Sequence, residues 1–300
     1  MREQEEEIID MFQIENEELV LKIASLGAEM KSLVDKQTGQ EYLWHADPAY
    51  WGRTSPILFP FVGGCKNNEM SYEGETYSVP KHGFARNMEF DLISRSEHEI
   101  WFAFTSNEET LKEYPFHFCL SIGYRMEGKK IQVMWKVENT DKKKMYFSIG
   151  GHPAFNCPIH ADENQTDYKI AFDVENNLQN SLIAADGLLA EDQVELELQD
   201  GKLAITEHLF DNDALVIENE QVHKVGFVTP SGKEYVSVEF DAPVVGIWSP
   251  AGKCAPFICI EPWYGRCDRS NFTGTLEERE YGNELNPGES FEKSYTITVA

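Results

Sequence analysis

Five polar side chains in this chain of 300 residues stand where apolar runs break at glycine, proline or aromatic residues. His152 follows Phe147-Ser148-Ile149-Gly150-Gly151 and precedes Pro153. The two glycines admit close approach of a ligand, and the proline pushes His152 toward an extended backbone at a strand end. An imidazole titrates near neutrality, so it can give or take a proton at physiological pH, although the same features fit a histidine satisfied in a core turn. Glu261 ends the apolar run Phe257-Ile258-Cys259-Ile260 and is followed by Pro262 and Trp263. Apolar surroundings raise a carboxylate's pKa and make it a stronger base once ionised, and Trp263 offers a flat face on which a sugar can stack.

His82 lies in Val79-Pro80-Lys81-His82-Gly83-Phe84-Ala85-Arg86, at the end of a hairpin. Arg53, in Tyr50-Trp51-Gly52-Arg53, precedes an apolar run too rich in proline for a central strand. Its guanidinium could donate a fixed fork of hydrogen bonds to hydroxyls, or simply pack on Trp51. Asp213, in Phe210-Asp211-Asn212-Asp213-Ala214-Leu215, leads into a strand and by itself reads first as a solvated turn carboxylate.

The chain shows no serine or cysteine nucleophile elbow and no glycine-rich phosphate loop, which leaves proton transfer as the chemistry these groups can perform. A glycosidase would need only two carboxylates at the right separation, for which Glu261 and Asp213 are the candidates. A sugar-binding module without catalysis would need only the aromatic cleft. A metal site from His82, His152 and Glu261 lacks every short ligand spacing.

The elements that must position these groups are short strands. Leu19-Val20-Leu21-Lys22-Ile23 and Ala28 to Val34 are followed by a turn at Asp35 to Gly39, and hairpin turns recur at Glu73-Gly74, Glu127-Gly128, Ser231-Gly232 and Asp200-Gly201. Helices are expected only over 108–114, behind a capping Asn107 and stopped by Pro115, and near Thr275-Leu276-Glu277-Glu278, a capping box. No strand–helix alternation or clean repeat appears, so the fold class is all-β: a large antiparallel β-sandwich with a few short helices. It is expected as one domain over residues 12–300 behind an acidic leader, residues 1–11.

Lys and Arg number 26 against 52 Asp and Glu, and the net charge of −26 repels nucleic acid and anionic membrane surfaces at long range. No apolar run reaches the roughly 18 to 20 residues of a membrane span, and the N-terminus lacks the layout of a signal peptide, so the cytoplasm is the expected compartment. The 6 cysteines form no C-x-x-C pair and read as reduced thiols.

Taken in order, several motifs resemble the aldose 1-epimerase (galactose mutarotase-like) family, and the similarity runs from about Phe12 to Val299. They are Leu58-Phe59-Pro60 after Arg53, His82-Gly83-Phe84-Ala85-Arg86, Gly151-His152-Pro153-Ala154-Phe155-Asn156, Asp213-Ala214-Leu215, and Ile260-Glu261-Pro262-Trp263-Tyr264-Gly265. The match is closer to the compact bacterial branch of uncertain sugar specificity than to the main galactose enzymes. It departs at Gly64, where that branch carries arginine, which leaves the arginine role to Arg53. The resemblance implies two twisted sheets with a sugar cleft across one face. It also implies that Glu261 acts as general base and His152 as general acid in opening the ring, while His82, Arg53 and Asp213 orient the sugar. No metal, nucleotide or other cofactor is required. The related hexose-6-phosphate 1-epimerases are the alternative, with Lys66 and Lys81 as candidate anion contacts. The excess negative charge instead predicts a neutral, unphosphorylated aldose as the partner molecule.

Overall fold

A computed structural model describes residues 10–300. The acidic leader expected over residues 1–11 therefore lies outside the described residues except for its last two, and Met11 already opens the first strand, Met11–Glu15. The hairpin rhythm of the sequence becomes an antiparallel architecture built on a sheet of 9 strands and a sheet of 8 strands, with smaller sheets beside them. The turns fall where glycine was read to place them: Phe118–Glu127 pairs with Lys130–Asn139 across Gly128, and Glu69–Tyr72 with Glu75–Ser78 across Gly74. At the start of the helix Thr110–Glu113, Asn107 Oδ1 accepts from the Thr110 N–H at 3.0 Å. Near the C-terminus, Thr275 and Glu278 close a capping box on a single 3₁₀ turn, Leu276–Glu278.

The two large sheets share one apolar core that draws on residues from Ile14 to Val299. Alternation along the strand Phe257–Tyr264 shows how it is made. Ile258, Ile260 and Tyr264 enter that core, where Tyr264 meets Trp135 of the 9-stranded sheet edge to face, with ring centroids 6.2 Å apart. Phe257, Cys259, Glu261 and Trp263 point to the opposite face, as the period of two in a strand requires. The whole strand is buried, because loops cover that second face as well. No helix among the described residues is long and apolar enough to cross a membrane, and all 6 cysteines are free.

Candidate active site

Strand register brings the imidazole and the carboxylate together. Phe257–Tyr264 pairs antiparallel with Ile149–Gly151 on one side of a break and with Ala154–Asn156 on the other, as in Gly150 opposite Trp263 and Ala154 opposite Cys259. The register does not shift across the break, so His152 stands opposite Glu261. Side chains of directly opposed residues start about 4.5–5.5 Å apart at Cβ, and here His152 Nε2 and Glu261 Oε2 end 3.2 Å apart. Pro153 removes a donor at the break. The His152 N–H turns instead to Pro56 O at 3.1 Å, and Pro153 O accepts from the Ile260 N–H at 3.2 Å.

Trp263 is laid flat by two glycines. A Cβ on Gly150 would come within 2.7 Å of its Cδ1, and one on Gly246, on the other neighbouring strand, within 2.5 Å of its Cη2. Only glycine at both positions lets the indole lie on the sheet beside Glu261. His152 is clamped by aromatics: Trp51 stacks on it with centroids 4.7 Å apart at 28°, and Trp248 meets it edge-on at 5.7 Å. Trp51 is fixed in turn by Trp44, whose indole N–H donates to Trp51 O at 2.9 Å.

These side chains line a cleft of about 800 Å³, large enough for a monosaccharide with water. His82, Asp213 and Trp263 also line it, together with Lys81, Arg86 and Lys253. His82 Nδ1 accepts the Gly63 N–H at 3.1 Å, which makes Nε2 the protonated nitrogen of the neutral ring. His82 and Asp213 both hold left-handed backbone, with φ of 69° and 67°. Such conformations persist where surrounding structure enforces them.

Burial dominates the electrostatics. It holds His152 far below the usual imidazole range, at about 3, with the nearby Arg86, Lys81 and Arg53 charges acting in the same direction. It pushes Glu261 well above 4.5, reinforced by the Asp213 carboxylate and opposed by Lys81. It also pushes His82 well below 6.5. The free cleft thus favours neutral imidazoles and a protonated Glu261.

Arg53 is placed otherwise than its spacing suggested. It does not line the cleft; its guanidinium donates to Arg86 O at 3.2 Å and Asn87 Oδ1 at 2.6 Å, bracing the segment behind His82. The arginine that reaches the cleft is Arg86, with an unpartnered buried Nε and burial that brings its pKa down to about 10, still charged near neutrality. It stands four residues after His82, in the motif already singled out. Gly64 is buried, and a Cβ there would meet Leu188 Cδ2 at 3.4 Å, an ordinary van der Waals contact. Trp248 and Lys253 had no sequence signal; strand pairing beside Glu261 brings in Trp248.

The fold is a large antiparallel sandwich with a buried imidazole–carboxylate pair in an open cleft. Residues 10–298 match the family model of aldose 1-epimerase, and the chain belongs to that family. It is 33% identical to the chromosomal protein LacX of Lactococcus lactis subsp. lactis, over 96% of this chain and 98% of that one. Among solved structures, it is similar to a galactose mutarotase related enzyme from Lactobacillus acidophilus, at 35% identity and a TM-score of 0.92, over 97% of each chain. A galactose mutarotase-like protein from Lactobacillus casei is 30% identical with a TM-score of 0.90, over 97% of this chain and 100% of that one.

Proposed function

We propose that the protein interconverts the α and β anomers of a free, neutral aldose by opening and reclosing the sugar ring. The observation that carries this reading is the 3.2 Å His152–Glu261 pair at the floor of the cleft. Glu261 takes the proton of the anomeric O1 hydroxyl while His152 gives one to the ring oxygen O5, and the C1–O5 bond breaks to leave an aldehyde. After rotation about C1–C2, O5 attacks the other face of the carbonyl carbon. His152 recovers its proton from O5, and Glu261 returns the other to O1. The protons balance with one held by the pair throughout. Burial rests that proton on Glu261 in the free cleft, and sugar hydroxyls donating to the carboxylate favour its ionised form once the substrate is bound.

His82 Nε2–H and Arg86 supply donors for sugar oxygens, Asp213 an acceptor for hydroxyls, and Trp263 an apolar face beside the reacting carbon. A glycosidase would pair Glu261 with a second carboxylate, for which Asp213 in the same cleft is the candidate, and hydrolysis of an aryl glycoside would reveal it. Lys81, Arg86 and Lys253 share the cleft with Asp211 and Asp213, a mixed lining suited to hydroxyls more than to a dianion. Anomer-exchange NMR across common hexoses and pentoses tests the reading: exchange faster than buffer on at least one sugar is expected, and buffer-rate exchange on all of them refutes it.

A further inference from the structure

We propose that the floor of the cleft is also a binding site for a soft divalent cation of the zinc type, held by His152, Cys259 and Glu261, and that the bound cation inhibits the enzyme. One ligand atom from each of these three buried residues lies within 4.8 Å of the others. The fold explains the cluster. Cys259 and Glu261 are two residues apart on one strand and share a face, while His152 stands across from Glu261 and diagonally from Cys259.

The 3.2 Å between His152 Nε2 and Glu261 Oε2 is already close to the edge of a zinc tetrahedron, roughly 3.3 Å for bonds of about 2.0–2.1 Å. The thiol, now within 4.8 Å of the other two, must close to roughly 3.6 Å from each. Glu261 Oε2 is buried and outside hydrogen-bond geometry, with only the His152 imidazole, one of the proposed ligands, recorded beside it at 3.2 Å. His152 and Glu261 line the cleft, which gives the cation its path in, and Cys259 is buried behind them. A thiolate, an imidazole and a carboxylate together suit zinc and its neighbours in preference to magnesium or calcium. On binding, the Cys259 S–H proton and any proton on Glu261 pass to solvent as the metal–ligand bonds form. The cation then occupies the two groups that would exchange protons with the sugar, so the inhibition rests on the proposed function, whereas the binding does not.

The test uses the full-length protein stripped of metal by chelator, in a Cys254→Ala background that removes the exposed thiol. Cobalt(II), a spectroscopic stand-in for zinc, should give a thiolate charge-transfer absorption that is lost in Cys259→Ala and in the closer-sized Cys259→Ser. The absorption should survive in Cys267→Ala, which removes the thiol lining the cleft. Zinc should inhibit anomer exchange, and losing the sulfur ligand should raise the inhibition constant at least about tenfold, each variant being compared with its own metal-free rate. An absent band, a band that depends on Cys267 in place of Cys259, or inhibition unchanged in both Cys259 variants overturns the site. A Cys259-dependent band in a protein without anomer exchange supports the site and removes only the proposed function.

Discussion

Replacing Glu261 with glutamine keeps the side chain's size and removes its ionisation, and two effects of opposite sign follow. Burial, then the Asp213 carboxylate, holds Glu261 protonated well above 4.5 in the folded protein, against a weaker pull from Lys81. The unfolded chain ionises there near the ordinary value. Between 4.5 and the raised folded pKa, the unfolded state loses a proton that the folded state keeps, so this group costs stability as pH rises, by up to about 1.4 kcal/mol per unit. Glutamine carries no such penalty. The advantage of Glu261→Gln should therefore be small near pH 5 and grow with pH, to a ceiling of about 3.5 kcal/mol at pH 7. At about 2 °C per kcal/mol for a chain of this size, that is a rise in Tm of a few degrees. Over the same range the variant should lose about 10²- to 10⁴-fold in anomer exchange, the contribution of one general acid–base group. Thermal unfolding of both proteins from pH 5 to 8 reads the first effect, and exchange NMR reads the second. A stability difference that is flat or shrinks with rising pH would refute the burial argument, and near-native exchange would refute the assigned role.

Three further outcomes are expected. His152→Asn should also lose about 10²- to 10⁴-fold while circular dichroism shows the fold intact, and retained turnover would remove His152 from the chemistry. Gly246→Ala should push the Trp263 indole by about 1.0 Å, from the 2.4 Å Cζ2 contact to ordinary packing, at about 1–3 kcal/mol of stability and on the order of tenfold to a hundredfold in rate. Crystallography showing Trp263 unmoved, with normal kinetics, would contradict that packing. Catalytic efficiency at fixed ionic strength should favour glucose or galactose over their 6-phosphates, and a clear preference for the phosphorylated sugar overturns the neutral-aldose assignment.

Much of the fold was legible because hairpin chemistry is local: Glu73-Gly74 and Glu127-Gly128 name their own turns, and the Thr275–Glu278 capping box lies within four residues. His152 and Glu261 could be singled out one by one, since each interrupts an apolar run. Their pairing could not, because it depends on an unshifted register between strands far apart in the chain. Arg53 shows the complementary limit. Its type suited hydroxyl recognition, but only the path of the segment containing Arg86 and Asn87 decides that its donors turn away from the cleft. The same path delivers Arg86. Trp248 and Lys253 reach the cleft through neighbouring strands and loops, with no local pattern to announce them.

The central claim is that one proton, held between His152 and Glu261, opens and closes a sugar ring. Exchange NMR on the aldose that the wild-type protein turns over fastest, repeated with the two single variants and with His152→Asn combined with Glu261→Gln, tests it most directly. Residues acting as one unit are grossly non-additive, so the double variant should be about as slow as either single one. Losses that multiply in the double variant, or a double variant that still exchanges the sugar near the wild-type rate, would contradict the account.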